Sequence, residues 1–161
     1  MLVHSFVHDS SSYPPLFQIG GGKLPDDTIL TCMRGFDSAL EFLSTCKVAN
    51  LTVRAELGCC LLHRSGKLIV EGCILQCEEN PLDYLSFPII STAVGCNALT
   101  QPPLKGQIGG RGGIRDCVTV SETRIEGGAK AVWTSGSLVL QQVRAIYGRT
   151  AIFFWFQIGE K

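Results

Sequence analysis

Charge is scarce in this sequence and neither sign prevails: charged residues make up 17% of the chain, and 14 basic side chains are matched by 14 acidic ones. Without a basic surplus there is no electrostatic footprint for DNA, RNA or an anionic lipid surface, so nucleic acid and membrane are excluded as expected partners. No stretch approaches the roughly 18 consecutive apolar residues of a membrane span. The opening MLVHSFVHDSSSYPP has neither the basic start nor the long apolar run of a secretory signal. The expectation is a soluble intracellular protein, cytoplasmic or nuclear. Cys-x-x-Cys pairs are also missing, since the closest of the eight cysteines are the adjacent Cys59-Cys60 and the wider Cys73-x-x-x-Cys77. That spacing does not suit zinc, and with no export signal the cysteines are expected to be free thiols packed as small hydrophobes. No metal and no cofactor are expected.

What is present instead is a repeat. Val118-Thr-Val120-Ser-Glu122-Thr123-Arg-Ile125 alternates apolar and polar side chains on both sides of a break, and three other stretches share its grammar. They are Cys46-Lys-Val48-Ala-Asn50-Leu51-Thr-Val53, Leu68-Ile-Val70-Glu-Gly72-Cys73-Ile-Leu75 and Leu138-Val-Leu140-Gln-Gln142-Val143-Arg-Ala145. Copies starting at 46, 68, 118 and 138 are separated by 68 − 46 = 22 and 138 − 118 = 20 residues, while the middle gap, 118 − 68 = 50, has room for a further, poorly legible unit. Period-two alternation means strands with one buried face, and a repeat near twenty residues means a solenoid. The leucine-rich-repeat framework, which has a similar period, is absent.

Two short strands joined by a tight corner, recurring every twenty or so residues, predict an all-β fold: a right-handed parallel β-helix, short, of about five to six coils. The break is the corner, where a left-handed backbone favours Gly or Asn. Gly72 and Asn50 suit it, whereas Glu122 and Gln142 do not, which predicts differently built corners in the later coils. Equivalent inward residues should lie over one another: Cys46 and Leu68, Val48 and Val70, Leu51 and Cys73, Val53 and Leu75. Further strands are expected at Leu16 to Ile19, Ile29 to Cys32 and Thr150 to Ile158, and Phe36 to Leu43 reads as either a helix or a strand. The aromatic end, Phe153 to Phe156, is an uncovered edge or a last core strand capped by its own loop. Residues 1–15 form an irregular N-terminal segment, and 16–158 a single β-helix domain with a Gly/Pro-rich irregular insertion around 96–116.

Candidate chemistry is thin. A sugar-cleaving β-helix needs clustered carboxylates on one face, yet Asp26-Asp27 follow Pro25 in a turn and Glu78-Glu79 precede Asn80-Pro81 in a loop. Cys59 or Cys60 beside His63 suggests a thiolate and base, but no third group orients them, and a packed Cys60 with a surface His63 is the expectation. GQIGGRGG, residues 106–113, lacks the Lys-Ser/Thr of a phosphate-binding P-loop and reads as a loop. Asn50-Leu51-Thr52 has the form of a glycosylation sequon, discounted for an intracellular chain. No catalytic residue is assigned. The outward Arg124, Lys130, Arg144 and Arg149, mixed with Glu122, Glu126 and Gln141, together with Phe154 and Trp155, form the candidate interaction surface, a ribbed polar face suited to a protein or a glycan.

Residues 20–83, opening GGGKLPDD, and residues 117–149, opening CVTVSETRIEGG, resemble the carboxyl-terminal β-helix of plant F-box proteins of the SKP-interacting partner five (SKIP-type) family. The resemblance covers roughly residues 16–95 and 117–158. It implies a pectin-lyase-like right-handed β-helix that serves, without catalysis of its own, as the substrate-recognition part of an SCF-type E3 ubiquitin ligase in protein ubiquitination. The partner so implied is a protein substrate. In that family a helical F-box ahead of the β-helix docks on the SKP adaptor. Here MLVHSFVHDSSSYPPLFQ is too short and too rich in Ser and Pro for such a bundle, so the expectation is a product truncated or altered relative to the family, without SKP binding by that route. From another class, the alternative is a carbohydrate-binding or polysaccharide-lyase/hydrolase-like β-helix protein.

Overall fold

The computed structural model describes residues 17–77, 86–93 and 117–154. Fifteen strands fall into three parallel sheets of five, and each coil contributes one strand to each sheet. The first coil is β1 (Phe17–Gly20), β2 (Ile29–Cys32) and β3 (Ser38–Phe42); the second is β4 (Cys46–Ala49), β5 (Thr52–Ala55) and β6 (Cys59–His63). The third is β7 (Lys67–Glu71), β8 (Ile74–Cys77) and β9 (Phe87–Ser91). The fourth is β10 (Cys117–Ser121), β11 (Arg124–Glu126) and β12 (Lys130–Thr134), and the fifth is β13 (Ser137–Gln141), β14 (Arg144–Ile146) and β15 (Thr150–Phe154). Strand order β1-β4-β7-β10-β13 in the first sheet, with the same progression in the other two, is a right-handed parallel β-helix of five coils.

The expected stacking is present. Cys46 pairs in register with Leu68, Val48 with Val70, and Val53 with Leu75; Val118 and Val120 continue over Leu68 and Val70. Val48, Val53, Leu68, Val70, Leu75, Val118 and Val120 have no solvent exposure at all, and each such side chain contributes about 1.5–3 kcal/mol when withdrawn from water. Because β10 lies directly on β7, no further coil stands between them in the stack. Phe36 to Leu43 resolves as a strand, since Leu40 and Phe42 lie over Leu61 and His63 on β6.

The corners between the first and second sheets differ from expectation in the later coils. Asn50, Gly72, Glu122 and Gln142 all take the left-handed conformation, at φ 51°, 60°, 48° and 54°. An L residue there costs about 1–2 kcal/mol, and the stacked backbone enforces it. The Asn50 amide donates to the Glu71 carbonyl at 3.1 Å, that of Gly72 to Ser121 at 3.1 Å, and that of Glu122 to Gln141 at 3.0 Å. Giving up a rung bond inside a buried ladder leaves an unpaired amide, which costs as much as the strain.

The third sheet had no repeat assigned to it in the sequence. Its strands skip one paired position per coil: β6 and β9 pair at Cys59–Phe87 and Leu61–Ile89 but not at Cys60–Pro88, and β12 and β15 likewise at Lys130–Thr150 and Val132–Ile152 but not between. In the inner coils two consecutive residues are buried at the skip, as with Cys60 and Leu61 or Ala131 and Val132. An unpaired position of this kind, with no extra residue on either strand, breaks the period of two and admits Pro88, which has no amide to donate.

Candidate interaction surface

Outward side chains stack in rungs as the inward ones do. On the second sheet the Arg54 Nε donates to Gln76 Oε1 at 2.7 Å, Gln76 Nε2 donates to Glu126 Oε2 at 2.6 Å, and Glu126 is also ion-paired with Arg124. Elsewhere Lys47 meets Glu71 at 2.7 Å, Arg64 meets Glu41 at 2.9 Å and Arg34 meets Glu56 at 3.2 Å. The outward carboxylates of Glu41, Glu56, Glu71 and Glu126 thus sit beside cations or amides. They are not gathered as an acid and base pair.

The four basic residues singled out in the sequence occupy two places. Arg124 on β11 and Arg144 on β14 are register neighbours on the second sheet, and both are exposed. Lys130 opens β12 on the third sheet, with its ammonium 6.0 Å from the ring centre of Phe87 and 5.7 Å from that of Trp133, whose rings are themselves 5.3 Å apart. Lys130 is therefore engaged by its own chain rather than projecting freely. Exposed Arg149 immediately precedes Thr150, the register partner of Lys130. Arg124 and Arg144 open their strands beside the corner between the first and second sheets, whereas Lys130 and Arg149 border the corner between the second and third, so the four do not form one continuous row. The side chain of Phe154 and the whole of Trp155 lie outside the described residues.

Tyr147 was missed in the sequence. It stands at this corner, 76% exposed, with φ 60°. The signal was available: a 20-residue offset from 126 to 146 sets Tyr147 on Gly127, whose φ is 74°.

The remaining candidates are structural. His63 is fully buried, not at the surface as expected. It ends β6 pointing into the column, stacked between Phe42 and Ser91, where its ring bonds Ser91 Oγ at 2.9 Å and the Gly66 carbonyl at 3.1 Å. Those two partners make burial of an imidazole affordable. Cys60 is buried 3.9 Å from the Cys77 sulfur. Its contact with Cys77 and its burial push the thiol well up, and burial pushes Cys59 up to about 12. A nucleophilic cysteine needs the opposite shift. Cys32, Cys46 and Cys73 are also buried free thiols, raised chiefly by burial, Cys46 to about 11.

Asp27 closes the Pro25–Asp27 turn by accepting the Leu24 amide at 3.0 Å. Glu78-Glu79, Cys96 and residues 94–116, with the expected insertion, lie outside the described residues. Among the described residues no three His, Cys, Asp or Glu side chains gather as metal ligands, and no helix is long and apolar enough to cross a membrane. At the last coil the column opens into a cavity of about 320 Å³ walled by Ile125, Val132, Leu140, Val143, Ala145 and Ile152.

Neither a protein-family model nor a solved structure matches the chain. Among curated proteins it is 59% identical over 148 residues to "F-box protein SKIP5" of Arabidopsis thaliana, an alignment covering 89% of this chain and 53% of that protein. The chain spans about half the length of the curated relative it matches. This similarity supports kinship with the plant F-box family of the SKP-interacting type.

Proposed function

We propose that the chain is a non-enzymatic interaction module, the part of an F-box protein that receives a target protein for ubiquitination by an SCF-type ligase. The observation that carries this reading is the 59% identity to an F-box protein over 89% of the chain. The geometry supports it. The column is filled with aliphatic side chains, the buried thiols are held protonated, and Glu41, Glu56, Glu71 and Glu126 are paired with cations. What the coils offer instead is a rigid, ribbed outer surface on which Arg124, Arg144 and Arg149 project. Contact with the SKP adaptor is assigned to a part of the F-box protein outside these coils.

Proximity labelling in plant cells tests this reading, with the full-length relative and the present chain as parallel baits. Both should mark a shared set of target proteins, and the SKP adaptor should be marked only by the full-length bait. A chain that marks none of the relative's targets, or that captures the adaptor stoichiometrically, refutes the assignment. Pectin-type polymers should release no product in the presence of the chain and calcium; measurable cleavage would make it a polysaccharide-active enzyme.

A further inference from the structure

The two ends of the solenoid differ in charge although the chain as a whole is neutral. Residues 17–43 carry Asp26, Asp27, Asp37 and Glu41 against Lys23 and Arg34, whereas residues 137–154 carry Arg144 and Arg149 and no carboxylate. The rung of counter-charges that runs up the second sheet stops at Glu126, which is shared between Gln76 and Arg124. Arg144 is the next residue in that direction, set over Arg124 at the rung spacing of about 4.8 Å. Among the described residues it has no carboxylate partner. Two like charges on adjacent rungs repel; Glu126 offsets Arg124, which leaves Arg144 as the charge that an anion from outside the chain would meet.

A second observation falls just past the other end of β14, the short strand that Arg144 opens. Tyr147 holds a left-handed backbone, at φ 60°, where the coil beneath uses Gly127 at 74°. A bulky L residue is strained there. Its ring, 76% exposed, returns little packing to the fold. Strain kept at an exposed aromatic between two arginines in sequence is what a binding residue shows. A phenol both donates a hydrogen bond and covers apolar surface, which is why tyrosine and arginine are enriched where proteins dock.

We propose that the outer edge along β14, from Arg124 and Arg144 at its start to Tyr147 and Arg149 beyond its end, docks an acidic segment of the partner protein. This names the chemistry of the target and rests on the reading of the chain as a recognition module. The acidic segment lies along the outer edge of the last coil. Its carboxylates face Arg144 and Arg124, and Tyr147 closes over its backbone.

The test uses the whole chain and a fluorescently labelled peptide of alternating Glu and Ser, with the Gln and Ser peptide as control. Anisotropy should rise with the acidic peptide alone, and added salt should weaken binding. Arg144→Glu should lower affinity about two- to five-fold, the scale of an exposed charge pair. Tyr147→Gly should lower affinity without lowering the melting temperature, a split that a merely structural tyrosine would not give. Arg34→Glu, at the acidic end, should leave affinity unchanged. Equal binding of both peptides, no binding of the acidic one, or an Arg144→Glu variant that binds as tightly would overturn the proposal. If Arg144→Glu still marks the relative's targets in cells, the recognition module stands and this docking site falls.

Discussion

Truncating one leucine in the middle of the column and one at its end should give unequal losses. Leu75 has no solvent exposure and lies in register between Val53 below and Ile125 above. Leu138, on the last coil, pairs with Val118 on one side and is only partly buried. Buried Leu→Ala changes cost about 2.7–5 kcal/mol, the spread reflecting how far the cavity collapses. Rungs held from both sides cannot close in, so Leu75→Ala should cost about 3 kcal/mol. Leu138→Ala loses contact on one side and already meets solvent, so about half that is expected. In a chain of this size about 3 kcal/mol lowers the melting temperature by roughly 6–12 °C. The assay is urea unfolding of the full chain followed by far-ultraviolet circular dichroism, with the slope m checked for constancy. Equal losses at the two positions, or less than about 1 kcal/mol at Leu75, would refute the view that each coil is stabilised by the coil on either side of it.

The corners allow a paired test of opposite sign. Glu122→Gly at φ 48° removes about 1–2 kcal/mol of strain and adds about 0.5–1 kcal/mol of unfolded-chain entropy, for a net gain of about 0.5 kcal/mol, whereas Gly72→Ala at φ 60° places a Cβ 2.6 Å from Asn50 Oδ1 and should cost at least about 1 kcal/mol. Chemical denaturation of both variants checks it, and the same sign for both would contradict the strain argument. Burial raises the thiols of Cys46 and Cys59 from 9.0 to about 11 and about 12 in the folded state. A raised acid titrates at lower pH when unfolded, so their stabilisation is complete below pH 9.0 and is lost as pH rises through 11 to 12. A melting temperature that stays flat across that window would show that these thiols are not withdrawn from water. At neutral pH a thiol-specific reagent should label Cys117, which is half-buried, ahead of Cys46, Cys59, Cys60 and Cys73; mass spectrometry of the modified chain reads the order.

The alternating stretches made the first two sheets legible, because Val48, Val70, Val120 and Leu140 recur with one face in and one face out. Legibility failed where the alternation fails. The third sheet hides its strands behind an unpaired position: Cys60-Leu61 and Ala131-Val132 each put two neighbours inside, and such runs carry no period. Glu122 and Gln142 looked unsuited to a left-handed corner because propensity was weighed alone, and the hydrogen-bonded stack outweighs it. His63 looked like a surface residue beside Arg64, since only tertiary placement brings Ser91 and the Gly66 carbonyl to its ring nitrogens. At the candidate site the pairing of Arg124 with Arg144 follows from the 20-residue offset alone. The capture of Lys130 by Phe87 and Trp133 does not, because Phe87 belongs to the coil beneath, 43 positions away from Lys130 by sequence.

One seam in the winding has a use beyond the fold itself. The chain passes from the third sheet back to the first through three residues between Phe42 and Cys46, three between His63 and Lys67, and two between Thr134 and Ser137, yet through 25 between Ser91 and Cys117. On both sides of that long excursion the backbone resumes its place: the Thr92 amide meets the His63 carbonyl at 2.9 Å, and the Cys117 amide meets the Gly66 carbonyl at 3.3 Å. Length at this seam is decoupled from registration. A foreign epitope or reporter spliced in there is therefore expected to leave every layer of the winding at its address.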